Sequence, residues 1–279
     1  LFNNSGPRKP LWLYEVESKG ATTTFYFYST NCDSFMTEEG YQPTPAYYRN
    51  MQWSRYLVWD EEQGEFLVRS GNKKGKNTIV GPIWFSESAE ASPEFLNQAV
   101  AVFDIQPRRK SIYITLGVPA EYYIPSIAVK FMEDAQEAAG RSGLTFLWKE
   151  KRNLLGQGKS FLATPYAMAV NRMISAKQVV PTYPGIAAYR IIERCRLVIS
   201  MPFTSTALIA RHLGKPSCYY DPSGLIQKQD RAAHGIPIIT GMEELKSWFD
   251  QPEKNMKREI ISKKPEHNKK PERSLIDKI

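Results

Sequence analysis

The stretch 196–224, RLVISMPFTSTALIARHLGKPSCYYDPSG, decides the fold. Its apolar run Leu197–Ser200 has the length and composition of a buried strand, and Met201-Pro202-Phe203 breaks it. Thr204-Ser205-Thr206 then opens an amphipathic helix over 205–213, closed by Gly214. A second apolar run, 217–219, reads as the next strand, and the turn Tyr220-Asp221-Pro222-Ser223-Gly224 ends it. Strand, helix and strand in this order form a βαβ unit, the building block of a parallel sheet.

Outward from this unit the same alternation fills 97–250. Strand-like runs fall at 99–105, 144–148, 178–180 and 236–239, and helical patterns at 126–140, 165–175, 187–194 and 242–249. The expected fold class is therefore α/β, with a Rossmann-like domain over 97–250 whose parallel sheet carries helices on both faces. Residues 1–96 give fewer elements: a helix over 10–19 ended by Gly20, a strand over 22–29 (TTTFYFYS), and segments at 53–59 and 65–69 joined by Asp60-Glu61-Glu62. The acidic triplet reads as a hairpin turn, and a further strand candidate lies at 78–85. That is too few strands for a complete domain, so the first half is expected as a partial or reduced α/β domain. The opening 1–7 has turn formers and no methionine, which leaves two readings, a piece of a longer protein or a shortened domain.

Composition narrows the class. The chain has 279 residues, 42% hydrophobic and 12% aromatic, enough to bury a sizeable core. Its apolar runs fall short of the ~20 residues a membrane-spanning helix needs, and no signal peptide can be placed. Cys32, Cys195 and Cys218 are scattered, as are His212, His234 and His267, so neither structural zinc nor a disulfide framework is expected and a reducing cytoplasm suits the chain. The net charge is +8, and half of it lies in 251–279, where nine Lys and Arg face five Asp and Glu. This basic tail is either a solvated end or a contact with the anionic lipid of the inner membrane. It lacks the interleaved aromatics of a nucleic-acid surface, and nucleic acid is not an expected partner.

Ligands of such sheets bind at the carboxyl ends of the strands. Thr204, Ser205 and Thr206 sit at one of them, where hydroxyls and free backbone N–H groups either cap the helix or hold an anion. Lys149, Lys151 and Arg152 leave the strand ending at Trp148 and are either a solvated exit or counter-charges for a phosphate. Asp104, followed by Gln106, ends the strand at 99–105, where a carboxylate either caps the next turn or works as a general base or nucleophile. Asp221 either caps its Pro-Gly turn or holds sugar hydroxyls. No P-loop, GxGxxG, GxSxG or HExxH motif is present, and Asp60-Glu61-Glu62 is disfavoured as a metal site, so neither metal nor cofactor is expected.

The order strand, Pro-Phe-Thr-Ser, helix, Gly-Lys-Pro, strand, Tyr-Tyr-Asp-Pro-Ser-Gly resembles the bacterial surface-polysaccharide biosynthesis proteins known by their PFTS motif. Further matching stretches are 12–20, Phe25-Tyr26-Phe27-Tyr28-Ser29, Phe103-Asp104-Ile105-Gln106-Pro107, Lys149 to Arg152 and Gln229-Asp230-Arg231-Ala232-Ala233-His234-Gly235. The resemblance implies a GT-B-like glycosyltransferase without bound metal, making lipopolysaccharide O-antigen or capsule. In that reading Thr204, Ser205 and Thr206 cradle the donor phosphate, as in transferases of CMP-activated keto sugars such as Kdo or sialic acid. A CMP-linked sugar is the best-matching implied donor, with a uridine or guanosine diphosphate sugar as the alternative, and a lipid-linked or oligosaccharide chain is the implied acceptor. The chain has no His-Pro dipeptide where those transferases carry one, and Lys149-Glu150-Lys151-Arg152 stands there. Lys149, Lys151 and Arg152 are then phosphate partners, Gln106, Tyr220, Asp221 and Gly224 flank the donor, Gln229, Asp230 and Arg231 contact donor or acceptor, and Asp104 is the catalytic carboxylate. Glu15 and Glu17, on the first helix, are alternatives across the cleft, with an exposed helix face as their plainer role. The alternative class is a noncatalytic module that binds nucleotide or glycan within a membrane-associated assembly complex.

Overall fold

The computed structural model describes residues 2–3, 9–30, 32–33, 36–37, 40–41, 43–72, 74–82, 98–108, 124–150, 162–183 and 185–250. In the first half, strands β1 (Phe2–Asn3), β2 (Thr24–Tyr26), β5 (Arg55–Val58) and β6 (Lys76–Ile79) form a four-stranded sheet in the order β1-β2-β5-β6, every pairing parallel. Helix α1 (Leu11–Ser18) leads into β2, and a two-stranded hairpin, β3 (Met36–Thr37) with β4 (Gly40–Tyr41), precedes the short helix α2 (Ala46–Arg49).

The acidic triplet at 60–62 is not a hairpin turn. Because β5 and β6 are parallel, the chain needs a crossover between them, and helix α3 (Glu61–Arg69) supplies it. Asp60 caps that helix by accepting the Gln63 N–H at 2.9 Å, while Gln63 Oε1 accepts the Trp59 N–H at 2.9 Å. Gln63, Phe66 and Leu67 fall on one buried face. The spacing i, i+3, i+4 carried this helix in the sequence, and the acidic start obscured it.

The second half follows the expected alternation closely. Strands β7 (Ala99–Phe103), β8 (Thr145–Trp148), β9 (Val180–Pro181), β10 (Leu197–Ser200), β11 (Ser217–Asp221) and β12 (Ile238–Thr240) form one six-stranded parallel sheet in the order β12-β11-β10-β7-β8-β9. The crossovers carry helices α4 (Pro125–Arg141), α5 (Thr164–Ser175), α6 (Ala188–Arg194) and α7 (Thr206–His212), and α8 (Gly241–Asp250) follows β12. Every residue of β7, β10 and β11 is buried, as a sheet covered on both faces requires. Buried side chains of the two sheets belong to one contiguous cluster that runs from Phe25 and Trp59 to Val102 and Tyr219.

Candidate functional site

The strand order reverses between β7 and β10. From β7 the chain winds outward through β8 and β9, then returns to β10 on the other side and winds away through β11 and β12. The loops leaving the carboxyl ends of β7 and β10 therefore diverge and open a crevice, the position at which doubly wound sheets bind ligands. A cavity of about 530 Å³ occupies it. The second half lines it with Phe103 at the end of β7 and Asp104 and Ile105 after it, Lys149 and Glu150 after β8, and Phe203 to Thr206 after β10. The first half closes it with Tyr28, Ser29, Thr30 and Asp33.

Two of the three hydroxyls are linked to each other, and the third reaches across the crevice. Thr206 Oγ1 lies 2.8 Å from Ser200 Oγ and 3.1 Å from Thr204 Oγ1, which is 2.9 Å from the Met201 carbonyl. Ser205 Oγ accepts the Thr30 N–H at 3.0 Å and the Thr30 hydroxyl at 3.2 Å. Ser205 is the N-cap residue by position, yet its side chain makes no capping bond, so the plain capping role does not account for it.

Asp104 lies at the cavity wall, 3% exposed. Its Oδ1 accepts the Trp148 indole N–H at 3.1 Å, and its Oδ2 accepts the Tyr166 hydroxyl. Burial, together with the facing Asp104 charge, pushes the Tyr166 phenol well above its ordinary range, so it stays a donor to the carboxylate. Lys149 is half-buried, with Nζ 3.1 Å from the Glu150 carbonyl, and burial pushes its pKa down while the Glu150 charge pulls the other way.

Other residues marked by sequence lie elsewhere. Glu15 pairs with Lys19 on the open face of α1. Glu17 sits in a local network with Lys9, Thr23 and Ser54. Burial alone would raise the Glu17 pKa, but the bonds from Lys9, Thr23 and Ser54 outweigh it and hold the carboxyl below its usual value. Neither glutamate lines the cavity, because the first half turns its strand ends, not α1, toward the crevice. Tyr220 points into the helix layer, where its hydroxyl donates to Asp134 at 2.6 Å. Asp221 is fully buried and accepts the N–H groups of Ser223 and Ile226, each at 2.8 Å, so it is the cap of its own turn. Gly224 makes that turn possible with φ +73°. Gln106 is buried beyond the cavity lining, and Gln229 is exposed. Lys151, Arg152 and the tail 251–279 lie outside the described residues.

Asp230 and Arg231 join the two halves. Asp230 accepts the Met36 N–H at 2.8 Å and the Tyr41 hydroxyl at 3.1 Å, while the Arg231 guanidinium lies 3.6 Å from the centre of the Tyr41 ring and bonds Asp33 at 3.2 Å. A second clasp joins Asp60 to His234 at 2.9 Å and to Arg211 at 3.3 Å. Asp60, Glu62 and His234 bring ligand atoms within 4.8 Å of one another. The guanidinium already faces Asp60, so this cluster is built as an ion pair between the halves. Sequence reasoning assigned no role to Thr30 and Asp33, which follow the carboxyl end of β2, nor to Glu150. Their position after a strand end is the same signal that marks Asp104 and Lys149 in the second half.

A family model described as polysaccharide biosynthesis PFTS motif protein matches residues 1–249. No curated protein matches the chain. Among solved structures, UGT2 of Phytolacca americana, complexed with UDP-2-fluoro-glucose and pterostilbene, aligns with a TM-score of 0.50 at 13% identity, covering 94% of this chain and 70% of that one. TarM of S. aureus in a complex containing UDP gives 0.46 at 10% identity, covering 91% and 50%. The pneumococcal O-GlcNAc transferase GtfA with UDP and GlcNAc gives 0.43 at 11%, covering 89% and 48%. The chain thus spans about half the length of these two bacterial proteins. The two parallel sheets facing one crevice are the GT-B fold, and the chain, matched over 1–249, belongs to the polysaccharide biosynthesis PFTS motif family.

Proposed function

We propose that this chain transfers a sugar from a nucleotide-activated donor to a growing surface polysaccharide, with the donor phosphate seated against Thr204, Ser205, Thr206 and Lys149. The observation that carries this reading is the cavity of about 530 Å³ at the point where the strand order reverses, lined by hydroxyls and a lysine and flanked by carboxylates from both halves. Glycosyl transfer asks for that combination. The bond from the anomeric carbon to the phosphate oxygen breaks with its electron pair going to the phosphate, which hydroxyl and ammonium donors stabilise. Positive charge develops on the sugar, and a carboxylate opposite it lowers the barrier.

Asp104 is the carboxylate assigned to the sugar. Trp148 and Tyr166 each donate to one of its oxygens, which fixes its position at the cavity wall. Its charge serves an inverting route, as base to the acceptor hydroxyl, or a retaining one, as nucleophile. Seven-residue α7 supplies a small dipole, so the hydroxyls and Lys149 do most of the anion binding.

For the donor, the PFTS resemblance favours a CMP-activated keto sugar of the Kdo kind. UDP, present in the complexes of UGT2, TarM and GtfA, is the competing base. The acceptor in this reading is a lipid-linked or oligosaccharide chain of lipopolysaccharide or capsule. No described helix is long and apolar enough to cross a membrane.

Release of nucleotide from CMP-Kdo and from UDP-sugars tests the reading, with the Asp104→Asn variant alongside. Turnover with one donor class, reduced about 100-fold or more in Asp104→Asn while nucleotide binding persists, supports it. Nucleotide binding without turnover by wild-type protein on any donor would favour the noncatalytic binding module.

A further inference from the structure

Ser205 is bonded in an unusual way for a helix-start serine. Its Oγ receives two hydrogen bonds, one from the Thr30 N–H at 3.0 Å and one from the Thr30 hydroxyl at 3.2 Å. A serine oxygen has two acceptor sites and one proton to give, so both acceptor sites are filled. Among the described residues no hydrogen bond takes the Ser205 proton, and Ser205 lines the cavity. Thr30 is 4% exposed and is carried on the other half of the molecule, in the loop that leaves β2, so its two donors are held in place by packing. Accepting two bonds also strengthens a hydroxyl as a donor, because the chain of bonds polarises it.

We propose that Thr30 is a positioning residue for the anion site. It fixes the Ser205 hydroxyl with its proton turned into the cavity, so that the grip of the second half on an anionic phosphate group depends on a residue of the first half. The proposal rests on the reading of the cavity as a phosphate site. It adds that affinity for phosphate is set by the contact between the halves, and that a ligand lacking phosphate is indifferent to it.

The test is a double-mutant cycle with Thr30→Val, Ser205→Ala and the pair, and Thr30→Ser as the conservative variant. Calorimetric affinities are measured for CMP, UDP, cytidine, uridine and inorganic pyrophosphate, and the melting temperature of each variant reports folding. Thr30→Val removes the hydroxyl donor at nearly constant shape. Phosphate-bearing probes are expected to bind about fivefold more weakly to it. Cytidine and uridine affinities stay unchanged, Thr30→Ser restores the loss, and Thr30→Val has no further effect once Ser205 is alanine.

Equal weakening of nucleosides and nucleotides, or full effect of Thr30→Val in the Ser205→Ala background, would overturn the proposal. If CMP and UDP bind but Thr30→Val leaves them unaffected, the positioning role fails while the transferase reading stands. If no nucleotide binds but pyrophosphate does, and Thr30→Val weakens it, the transferase reading fails and the positioning role stands. Absence of binding by nucleotide and pyrophosphate alike would overturn both.

Discussion

The two sheets differ in how much of their surface they hide. In the second, β7, β10 and β11 are buried along their whole length, whereas in the first every residue of β6 is exposed and β2 buries only its central Phe25. The more fully covered sheet positions its own candidate groups, since Asp104 is clamped by Trp148 and Tyr166 within that half. The half-covered sheet contributes through contacts made across the crevice, by Thr30, Asp33 and the clasps around Asp60 and Asp230. Its geometry at the site is therefore borrowed from the partner half.

Stability should show this asymmetry first. Trp148→Ala, at a fully buried position that also bonds Asp104, is expected to lower unfolding free energy by about 3–5 kcal/mol in urea titrations. Ile79→Ala, at the exposed edge strand β6, should change it by less than about 0.5 kcal/mol. Similar losses at both positions would erase the contrast between the sheets.

The Asp60 clasp comes next. Burial raises the pKa of this carboxyl, but the His234 bond and charge, the Gln63 N–H and Arg211 together hold it below its ordinary value. A group depressed in the folded state stabilises above its unfolded pKa of about 3.9 and loses that contribution as pH falls through the folded value. Asp60→Asn should cost about 1–3 kcal/mol near pH 7 and close the gap to wild type in strong acid. A gap independent of pH would show that the charge is not what joins the halves. Arg231→Lys, which gives up the planar stack on Tyr41 and the fork toward Asp33, should cost about 1 kcal/mol and speed amide exchange in β3 and β4 more than in β10.

Thiol reactivity gives the smallest effect and samples both halves at once. Burial pushes the Cys32 thiol, beside Asp33, and the Cys195 thiol each up to about 12. Both should resist alkylation at pH 8 in native protein and react at once in denaturant. Faster labelling of Cys32 than of Cys195 would place local opening in the first half.

The same contrast explains what could be read from the sequence. Strands buried on both faces are near-continuous apolar runs, so β7, β8 and β10 were legible to within a residue or two. Lys76–Ile79 is polar and exposed and carries no such signal, and only its pairing with β5 makes it a strand. The crossover α3 was obscured because Asp60-Glu61-Glu62 serves equally as a turn and as a capped helix start. Within the site, Asp104, Lys149 and Thr204 to Thr206 follow strand ends and were found by that rule. Asp221 ends β11 and Asp230 lies in the loop after it, but a carboxylate that caps a turn or clasps another segment has the same local sequence as one that meets a ligand. Thr30 and Asp33 owe their place to the meeting of two sheets far apart in sequence, which local pattern does not encode.

The central claim is that the crevice between the sheets holds a nucleotide through its phosphate. Isothermal calorimetry of CMP and UDP against cytidine and uridine, on wild-type protein and on Ser205→Ala and Lys149→Ala, tests it most directly. The account predicts that one nucleotide binds at least about tenfold more tightly than its nucleoside, an advantage that falls in both variants. Equal affinity for nucleotide and nucleoside, or a phosphate advantage untouched by both substitutions, would contradict it.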